Sequence, residues 1–315
     1  MMSRVVYPVS IRGLTKSYGN FHCLRGCDLE VPSDGVFGLL GPNGAGKSTL
    51  LRTLLGFLSI TSGEASVCGY DVRRESLQVR RSTAYLPGDP RLYRTMTGKR
   101  LLRMFSNLHP SSTLKGCLRV ADKLDLDLSR MVMFMSTGMR QKLALSVVLG
   151  CEAPLVMLDE PTANLDPNVR QTVLELIREV RDSGRTVMLS SHIFSDIDET
   201  CNRVAILRDG KIVTTQTMDS ISHSYIVVAR CNATESATPK LLRQAPQLEN
   251  WHFRAPAFEN GELELHFSGE PSAWLPWLGE QDLQVGRIEK AGVQALYQQY
   301  HSRSAGVATS DGKAL

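Results

Sequence analysis

The stretch GPNGAGKST at residues 41–49 decides the fold, because it joins an apolar run, Val36 to Leu40, to a helical pattern, Leu50 to Leu58. Its glycines let successive backbone N–H groups face an anion, and the helix that follows begins with unpaired N–H groups and the positive end of its dipole. Lys47 is placed to reach the β and γ phosphates of a nucleoside triphosphate, and Ser48 to hold Mg²⁺. The residues predicted to surround the phosphates are Gly41, Pro42, Asn43, Gly44, Ala45, Gly46, Lys47, Ser48 and Thr49.

Composition limits what kind of protein this is. The chain has 315 residues, 42% of them apolar, which suffices for one large core and a second, smaller one. Its seven cysteines are scattered and odd in number, which favours reduced thiols over a disulfide framework or a zinc site. No window reaches the roughly 18 apolar residues that span a bilayer, so we expect no membrane-crossing segment. The net charge of +4 excludes no class of partner.

Hydrophobic periodicity predicts mixed α/β structure around the loop and helices after it. The strands predicted before and shortly after the loop are Val9 to Leu14, Cys23 to Val31, Glu64 to Cys68 and Ser82 to Leu86. From Thr97 to Leu149 the apolar spacing is helical, which predicts a helical insert at about residues 95–150.

The next segment completes the first domain. Two apolar runs, Leu155 to Leu158 and Thr186 to Ser190, flank a predicted helix, Pro167 to Arg181, as in a βαβ unit with strands buried on both faces. Asn202 to Leu207 and Lys211 to Thr215 form a predicted hairpin around an Asp-Gly turn. The first domain is therefore predicted at residues 5–220.

A small α+β domain is predicted at residues 222–302, followed by a mobile tail at 303–315. The elements predicted in it are strands at Tyr225 to Arg230, Glu262 to Phe267 and Gln284 to Glu289 and helices at Pro239 to Gln244 and Val293 to Tyr300. Its aromatic residues, Trp251, Trp274 and Trp277 among them, fit a small core better than a ligand or partner surface. We hypothesise that this domain regulates the protein or stabilises a dimer.

Two adjacent acids follow the apolar run that ends at Leu158. A carboxylate at the end of a strand beside the loop, Asp159, can hold Mg²⁺ through a water molecule. The next carboxylate, Glu160, is placed to polarise the water that attacks the γ phosphate. The simpler alternative is an acidic strand end at the surface, although four preceding apolar residues require burial.

A third segment, Met135 to Lys142, precedes the acids by about twenty residues and opens a helix. With the loop, the acid pair, Asn164 to Asp166 and Ser190 to His192, the chain resembles the nucleotide-binding subunits of ATP-binding cassette (ABC) transporters over roughly residues 9–217. The resemblance implies a P-loop NTPase cassette with a RecA-like mixed sheet, an antiparallel β subdomain and a helical insert, here followed by the α+β domain. Its ligands would be ATP and Mg²⁺.

The resemblance also implies a head-to-tail dimer, in which the loop of one subunit and the segment around Ser136 and Gly138 of the other enclose each ATP. Asp166 would cross the interface, and His192 would contact the γ phosphate and position the attacking water. Ser136 can donate to a phosphate from a helix start, but an ordinary helix-capping serine is the alternative. Tyr18 matches the aromatic position that stacks on adenine, or is a partly exposed turn residue.

Three positions depart from the family pattern. Gly88 and Asp89 stand where a glutamine usually binds Mg²⁺, and we hypothesise that Asp89 replaces it, directly or through water. Thr137 and Met139 replace commoner residues of the segment around Ser136, without loss of the phosphate-contacting Ser and Gly. Asn164 replaces a commoner Ser or Gly.

The resemblance implies a second nucleotide-binding subunit and separate transmembrane permease subunits as partners, at the cytoplasmic face of the inner membrane. No nucleic acid is expected. From Asp71 to Arg103 nine basic residues stand against three acidic ones, either as a solvated face or as a docking surface for the permease or anionic headgroups. The sequences Tyr85 to Tyr93 and Val293 to Tyr300 resemble the branch that exports drugs, lipids or polysaccharides. The alternatives are a soluble ABC ATPase acting on ribosomes or DNA, and a non-hydrolysing scaffold subunit.

Overall fold

The computed structural model of the chain describes residues 7–231, 254–259, 262–280 and 283–301. The chain divides into two units, Met1–Thr215 and Gln216–Leu315. The predicted helix at Pro239 to Gln244, Trp251 and the predicted tail at 303–315 lie outside the described residues.

The first unit contains ten described strands, the last of which ends two residues past the division. They are β1 Val9–Tyr18, β2 Phe21–Val31, β3 Val36–Leu40, β4 Ser62–Val67, β5 Tyr70–Asp71, β6 Thr83–Leu86, β7 Leu155–Asp159, β8 Thr186–Ser191, β9 Arg203–Arg208 and β10 Lys211–Thr217. Seven described helices connect them: α1 Lys47–Leu54, α2 Ser76–Arg81, α3 Gly98–Ser106, α4 Leu114–Lys123, α5 Thr137–Leu149, α6 Pro167–Asp182 and α7 Phe194–Thr200.

The strands form two sheets. An antiparallel sheet has the order β2-β1-β4-β5, and a six-stranded sheet has the order β10-β9-β3-β8-β7-β6. Within the second sheet, β3 pairs in parallel with β8 and β9, and β7 pairs in parallel with β6 and β8. Every residue of β3, β7 and β8 is buried, as expected for central strands covered on both faces.

The parallel strands bring the predicted motifs together. Because parallel strands end at the same edge of a sheet, the loop after β3, the acids that end and follow β7 and the serine–histidine pair at the end of β8 meet there. The register confirms it, since Leu40 lies opposite Ser191 and Asp159 opposite Ser190. This edge of the sheet carries the candidate site.

The helix after the loop differs from its prediction at both ends. It begins at Lys47 rather than Leu50 and ends at Leu54 rather than Leu58. Gly56 has a φ of +68° and a Cβ there would lie 2.6 Å from the Cβ of Ser76, so the chain leaves the helix at a position only glycine fits.

The helical insert has a core of its own. Residues of α3, α4 and α5 bury one another around Leu101, Leu102 and Leu143. Gly116 and Gly150 let α4 and the end of α5 approach closely, since a Cβ on Gly150 would lie 2.6 Å from the Cα of Cys117. Among the described residues, no helix is long and apolar enough to cross a membrane.

The second unit contains a short helix, a four-stranded antiparallel sheet and two further described helices. In chain order these are α8 Met218–Ser222, β11 Ser224–Cys231, β12 Arg254–Glu259, β13 Glu262–Ser268, α9 Pro271–Gly279, β14 Leu283–Lys290 and α10 Val293–His301. The strand order is β12-β13-β11-β14. Trp274 and Trp277 are buried, and Trp274 stacks on Phe267 with ring centroids 4.5 Å apart. The prediction that these tryptophans belong to a core is confirmed.

Candidate active site

The phosphate-binding loop is held open by its glycines. Gly44 and Gly46 have φ values of +82° and +108°, which a residue with a side chain rarely adopts. A Cβ on Gly41 would lie 2.3 Å from the carbonyl oxygen of Leu207, so the loop crosses β9 at van der Waals distance. The first turn of α1 therefore directs its N–H groups toward whatever the loop encloses.

A cavity of about 590 Å³ lies over the loop. Its lining includes most of the predicted nucleotide site and four residues that the sequence did not indicate as ligands. The lining residues are Tyr18, Phe21, Cys23, Pro42, Asn43, Gly44, Gly46, Lys47, Ser48, Thr49, Gly88, Glu160, Ala163 and His192.

Glu160 lies between two basic side chains. The Lys47 amino group donates to the carbonyl oxygen of Gly41 at 2.7 Å and lies 3.3 Å from one Glu160 oxygen. The other Glu160 oxygen contacts Nδ1 of His192. Lys47 is 6% exposed, so water screens its charge little. The three side chains predicted to be catalytic thus form one contact group.

Asp159 is buried and one of its oxygens has no partner. The carboxylate is 1% exposed, and its Oδ1 accepts a hydrogen bond from the Ser190 hydroxyl at 2.6 Å. Its Oδ2 is buried and makes no hydrogen bond. Such an atom is costly to bury unless something satisfies it, and a hard cation with oxygen ligands does so.

The residues near Asp159 therefore fit Mg²⁺. Ser48 supplies a hydroxyl in the cavity lining. In the described part of the chain no cluster of three His, Cys, Asp or Glu side chains could hold a metal ion. Phosphate oxygens and water would accordingly complete the ligand set, as is usual for Mg²⁺ beside a triphosphate.

Asp89 is not brought to this site. Its side chain is 83% exposed and lies 3.8 Å from the guanidinium of Arg91, also exposed. The preceding residue, Gly88, faces the site instead, because a Cβ there would lie 3.4 Å from Oδ2 of Asp159. Residues 88 and 89 form a bend after β6, in which position 88 lies beside Asp159 and the side chain of Asp89 extends into solvent. Asp89 is not among the described residues that line the cavity, and the hypothesis that it replaces the missing glutamine, directly or through water, stays a prediction.

Two aromatic rings lie at one end of the cavity. Tyr18 and Phe21 face each other across the turn between β1 and β2 and are 47% and 62% exposed. The amino group of Lys16 lies 4.9 Å from the centroid of the Tyr18 ring. Phe21 was missed because a single phenylalanine after a Gly-Asn turn does not indicate binding of a nucleotide base. Its role becomes visible in the structure, where Phe21 is the strand partner of Tyr18.

Ser136, Gly138 and Asp166 lie outside the described lining of the cavity. Ser136 caps α5, where its hydroxyl accepts from the N–H of Met139 at 3.2 Å, and Asp166 caps α6 by accepting from Val169 at 3.0 Å. A Cβ on Gly138 would lie 3.2 Å from the carbonyl oxygen of Asn164. Within one chain, the capping interpretation of Ser136 is therefore the one observed.

Helix α5 is also tied to the acid pair. Gln141 is 4% exposed, and its amide nitrogen donates to the carbonyl oxygen of Pro161 at 3.1 Å. Pro161 directly follows Glu160, so the helix that begins at Ser136 and the catalytic strand end share a buried hydrogen bond.

Comparison with known proteins gives the same assignment along the sequence. Residues 24–163 match the protein family described as ABC transporter. A daunorubicin resistance ATP-binding protein of Streptomyces coeruleorubidus is 34% identical over 218 residues, which cover 68% of this chain and 69% of that protein. A lantibiotic transport ATP-binding protein of Streptococcus pyogenes is 32% identical over 207 residues, covering 65% of this chain and 89% of that protein.

Solved structures agree with the fold. The ATP-binding subunit of an ABC transporter is 29% identical with a TM-score of 0.62, covering 68% of this chain and 91% of that one. A dimeric ATP-binding cassette bound to ADP and Pi, 20% identical, has a TM-score of 0.62 over 67% of this chain and 98% of that one, a likeness of fold alone. The predicted fold class is confirmed. The chain therefore belongs to the ATP-binding subunits of ABC transporters, and it is an ATPase.

Proposed function

We propose that this chain hydrolyses ATP in a head-to-tail dimer and thereby drives export through a separate permease. The observation that carries the proposal is the contact group of Lys47, Glu160 and His192 above the phosphate-binding loop. A carboxylate held next to a phosphate cradle is placed to orient water and accept its proton as it attacks a γ phosphate.

Each residue has a separate task in this proposal. Lys47 binds the β and γ phosphates, and the loop N–H groups hold their oxygens. Glu160 accepts a proton from the attacking water, which its contact with His192 helps to orient. Bound Mg²⁺ would neutralise phosphate charge, with Ser48 and Asp159 as its protein ligands.

Tyr18 and Phe21 would bind the base. Two exposed rings beside a phosphate site offer flat apolar faces to a purine, and stacking on them contributes about 1 kcal/mol or more per base. Phe21 is added here to the Tyr18 assignment, because both rings line the same cavity.

We propose a dimer because Ser136 and Gly138 do not line the described cavity of their own chain. Ser136 and Gly138 are exposed or partly exposed at the start of α5, away from the described lining of the cavity. A helix start that offers a hydroxyl and N–H groups suits a phosphate. In the proposed head-to-tail dimer the second chain supplies it, and Asp166 lies at the interface.

The names of the relatives support a function in transport, and we propose export as its direction. One is named for daunorubicin resistance and another for lantibiotic transport. By analogy, the present chain would sit on the cytoplasmic face of the membrane, bound to permease subunits that carry an exported cargo. The matches to transport subunits favour this function over a ribosome- or DNA-directed ATPase.

Substitution of Glu160 tests hydrolysis. Glu160→Gln should lower steady-state turnover about a hundredfold or more, since a positioned general base contributes that much. It should retain ATP binding and give an ATP-dependent dimer in size-exclusion chromatography. Glu175→Gln, an exposed glutamate on α6, is the matched control and should behave as the unchanged chain. Equal turnover in both variants would rule out Glu160 as the general base, and no turnover in the unchanged chain would support the non-hydrolysing scaffold alternative.

A further inference from the structure

A carboxylate that has no part in the scheme above is buried close to the site. Asp196, on α7, is 1% exposed. Its Oδ2 accepts a short hydrogen bond from the hydroxyl of Thr162 at 2.5 Å and a long one from the hydroxyl of Ser191 at 3.4 Å, which that hydroxyl shares with the carbonyl oxygen of Ile193. Its Oδ1 accepts from Nε of Arg170 at 2.6 Å. A buried charge is costly unless it is paired and fully hydrogen-bonded, and this one is both.

The two hydroxyl donors come from the two segments that carry the catalytic pair. Thr162 is two residues after Glu160, and Ser191 directly precedes His192. Glu160 and His192 contact each other across the sheet edge. One carboxylate oxygen therefore binds both segments at the point where their side chains must meet.

The backbone at Glu160 needs such support. Its φ is +54°, a conformation that residues with side chains adopt only where their surroundings hold it. On the strand side, the Glu160 N–H donates to the carbonyl oxygen of Ser190 at 3.1 Å. On the other side, the turn that follows is anchored through the Thr162 hydroxyl.

Arg170 fixes the carboxylate in turn. It lies on α6, which begins one residue after Asp166, and its Nη2 also donates to Ser195 at 2.5 Å. Its side chain is 27% exposed, so the guanidinium balances the charge of Asp196 while remaining in contact with water. Arg170 thus links α6 to two adjacent residues of α7, Ser195 and Asp196.

We propose that Asp196 is a positioning residue for ATP hydrolysis, which holds Glu160 and His192 in register through Thr162 and Ser191. The inference rests on the proposed function of Glu160 and His192. It makes α7 part of the catalytic apparatus, although neither Asp196 nor any other α7 residue lines the described cavity.

The variants that test it are nearly isosteric. Asp196→Asn and Thr162→Val each remove a hydrogen bond without a large change in volume. Both should lower kcat about ten- to a hundredfold, as small misplacements of catalytic groups do. The KM for ATP, and the affinity for a fluorescent ATP analogue, should stay within about twofold, because the loop is untouched.

Matched controls separate positioning from folding. Thr162→Ser keeps the hydroxyl and should keep kcat, and Asp198→Asn makes the same chemical change at an exposed position of α7. Thermal unfolding of each variant is measured alongside. If Asp196→Asn does not fold, Thr162→Val against Thr162→Ser still decides the question.

A double-mutant cycle distinguishes positioning of the catalytic residues from a general effect of Asp196 on folding. If Asp196 acts by holding Glu160 and His192 against each other, its substitution should cost little once His192→Ala has removed that contact, whereas independent effects would multiply. Multiplicative losses, or a kcat for Thr162→Val equal to that of Thr162→Ser, would overturn the inference. If the unchanged chain showed no ATPase activity, the proposed function would fail instead, so the two failures are distinguishable.

Discussion

At the residue scale, Glu160 shows how a site is assembled from distant parts of a sequence. Its neighbours Lys47 and His192 lie far from it in the chain but at the ends of adjacent parallel strands or in the loop after one. Its own backbone is held at a φ of +54°, a conformation that its surroundings must stabilise, and its carboxylate contacts both Lys47 and His192. The ends of the strands therefore place Lys47 and His192 beside Glu160.

Cysteine reactivity offers a prediction at this scale. Burial raises the pKa of Cys68 to about 11 and of Cys201 to about 12, so neither thiol is ionised near neutral pH. Cys23 is only partly buried and lines the cavity. We expect a thiol reagent at about pH 8 to modify Cys23 first, and Mg·ATP to slow that reaction.

Mass spectrometry of labelled peptides checks the order of reaction. Cys231, whose side chain lies outside the described residues, is replaced by serine in the test protein. Cys23→Ser should remove the labelling that ATP slows. If ATP does not protect Cys23, the base is not bound beside Tyr18 and Phe21.

At the element scale, two basic residues of α4, in the helical insert, form salt bridges with one glutamate of α6. Glu179 accepts from Lys123 and, at 3.1 Å, from Arg119. The hydrogen bond from Lys123 and that from Arg119 hold the pKa of Glu179 below its ordinary value. A lowered carboxyl pKa adds stability above the pKa of the unfolded chain and loses it as the pH falls through the folded value.

Glu179→Gln should therefore lower the Tm at neutral pH and have less effect in acid. Because the three side chains are between 41% and 52% exposed, their interaction contributes about 0.5–1 kcal/mol, or roughly 1–3 °C for a chain of this size. Calorimetry at about pH 7 and pH 4 measures the difference, which should shrink at the lower pH. Glu175→Gln on the same helix serves as control, and an effect of equal size at both pH values would contradict the assignment.

Elements whose signals are local were predictable, and contacts between elements were not. The phosphate-binding loop, the buried strands and α6 follow from residue order alone, because glycine spacing and apolar periodicity act within each segment. Helix α7 has no such pattern. Its buried Asp196 is stabilised by hydrogen bonds from Thr162 and Arg170, which are distant in sequence. Asp89 was assigned by closeness in sequence, whereas it is Gly88, in the bend after β6, that lies beside Asp159.

The same distinction holds for the second unit. Three of its strands and α10 were predicted, but α9 was not, since Pro276 lies inside its sequence. Pro271 stands at the first turn, where proline is tolerated, and could have served as the signal.

At the scale of the whole molecule, the proposed dimer predicts that two inactive variants of the chain restore activity when they are mixed. Each site would combine the loop of one chain with the α5 start of the other. Lys47→Ala and Ser136→Asp should each abolish ATPase activity, the latter through charge repulsion while aspartate still caps the helix. A mixture of the two single variants should recover part of the activity, because the mixed dimer contains one intact site.

The double variant supplies the control for that experiment. With both changes in one chain, every site of a dimer with the unchanged chain contains one defect, so adding the double variant should lower activity. Recovery by the double variant, or none by the mixed single variants, would argue against the head-to-tail arrangement.

The buried hydrogen bond from Gln141 to Pro161 limits how freely parts of this protein can be exchanged. A chimaera that takes its helical insert from another transporter inherits whatever residue stands at that position of α5. Without an amide there, the carbonyl after Glu160 loses a donor in a place that water reaches poorly, at about 1–3 kcal/mol. Grafts intended to change permease preference should therefore end before Gln141 or carry it with them.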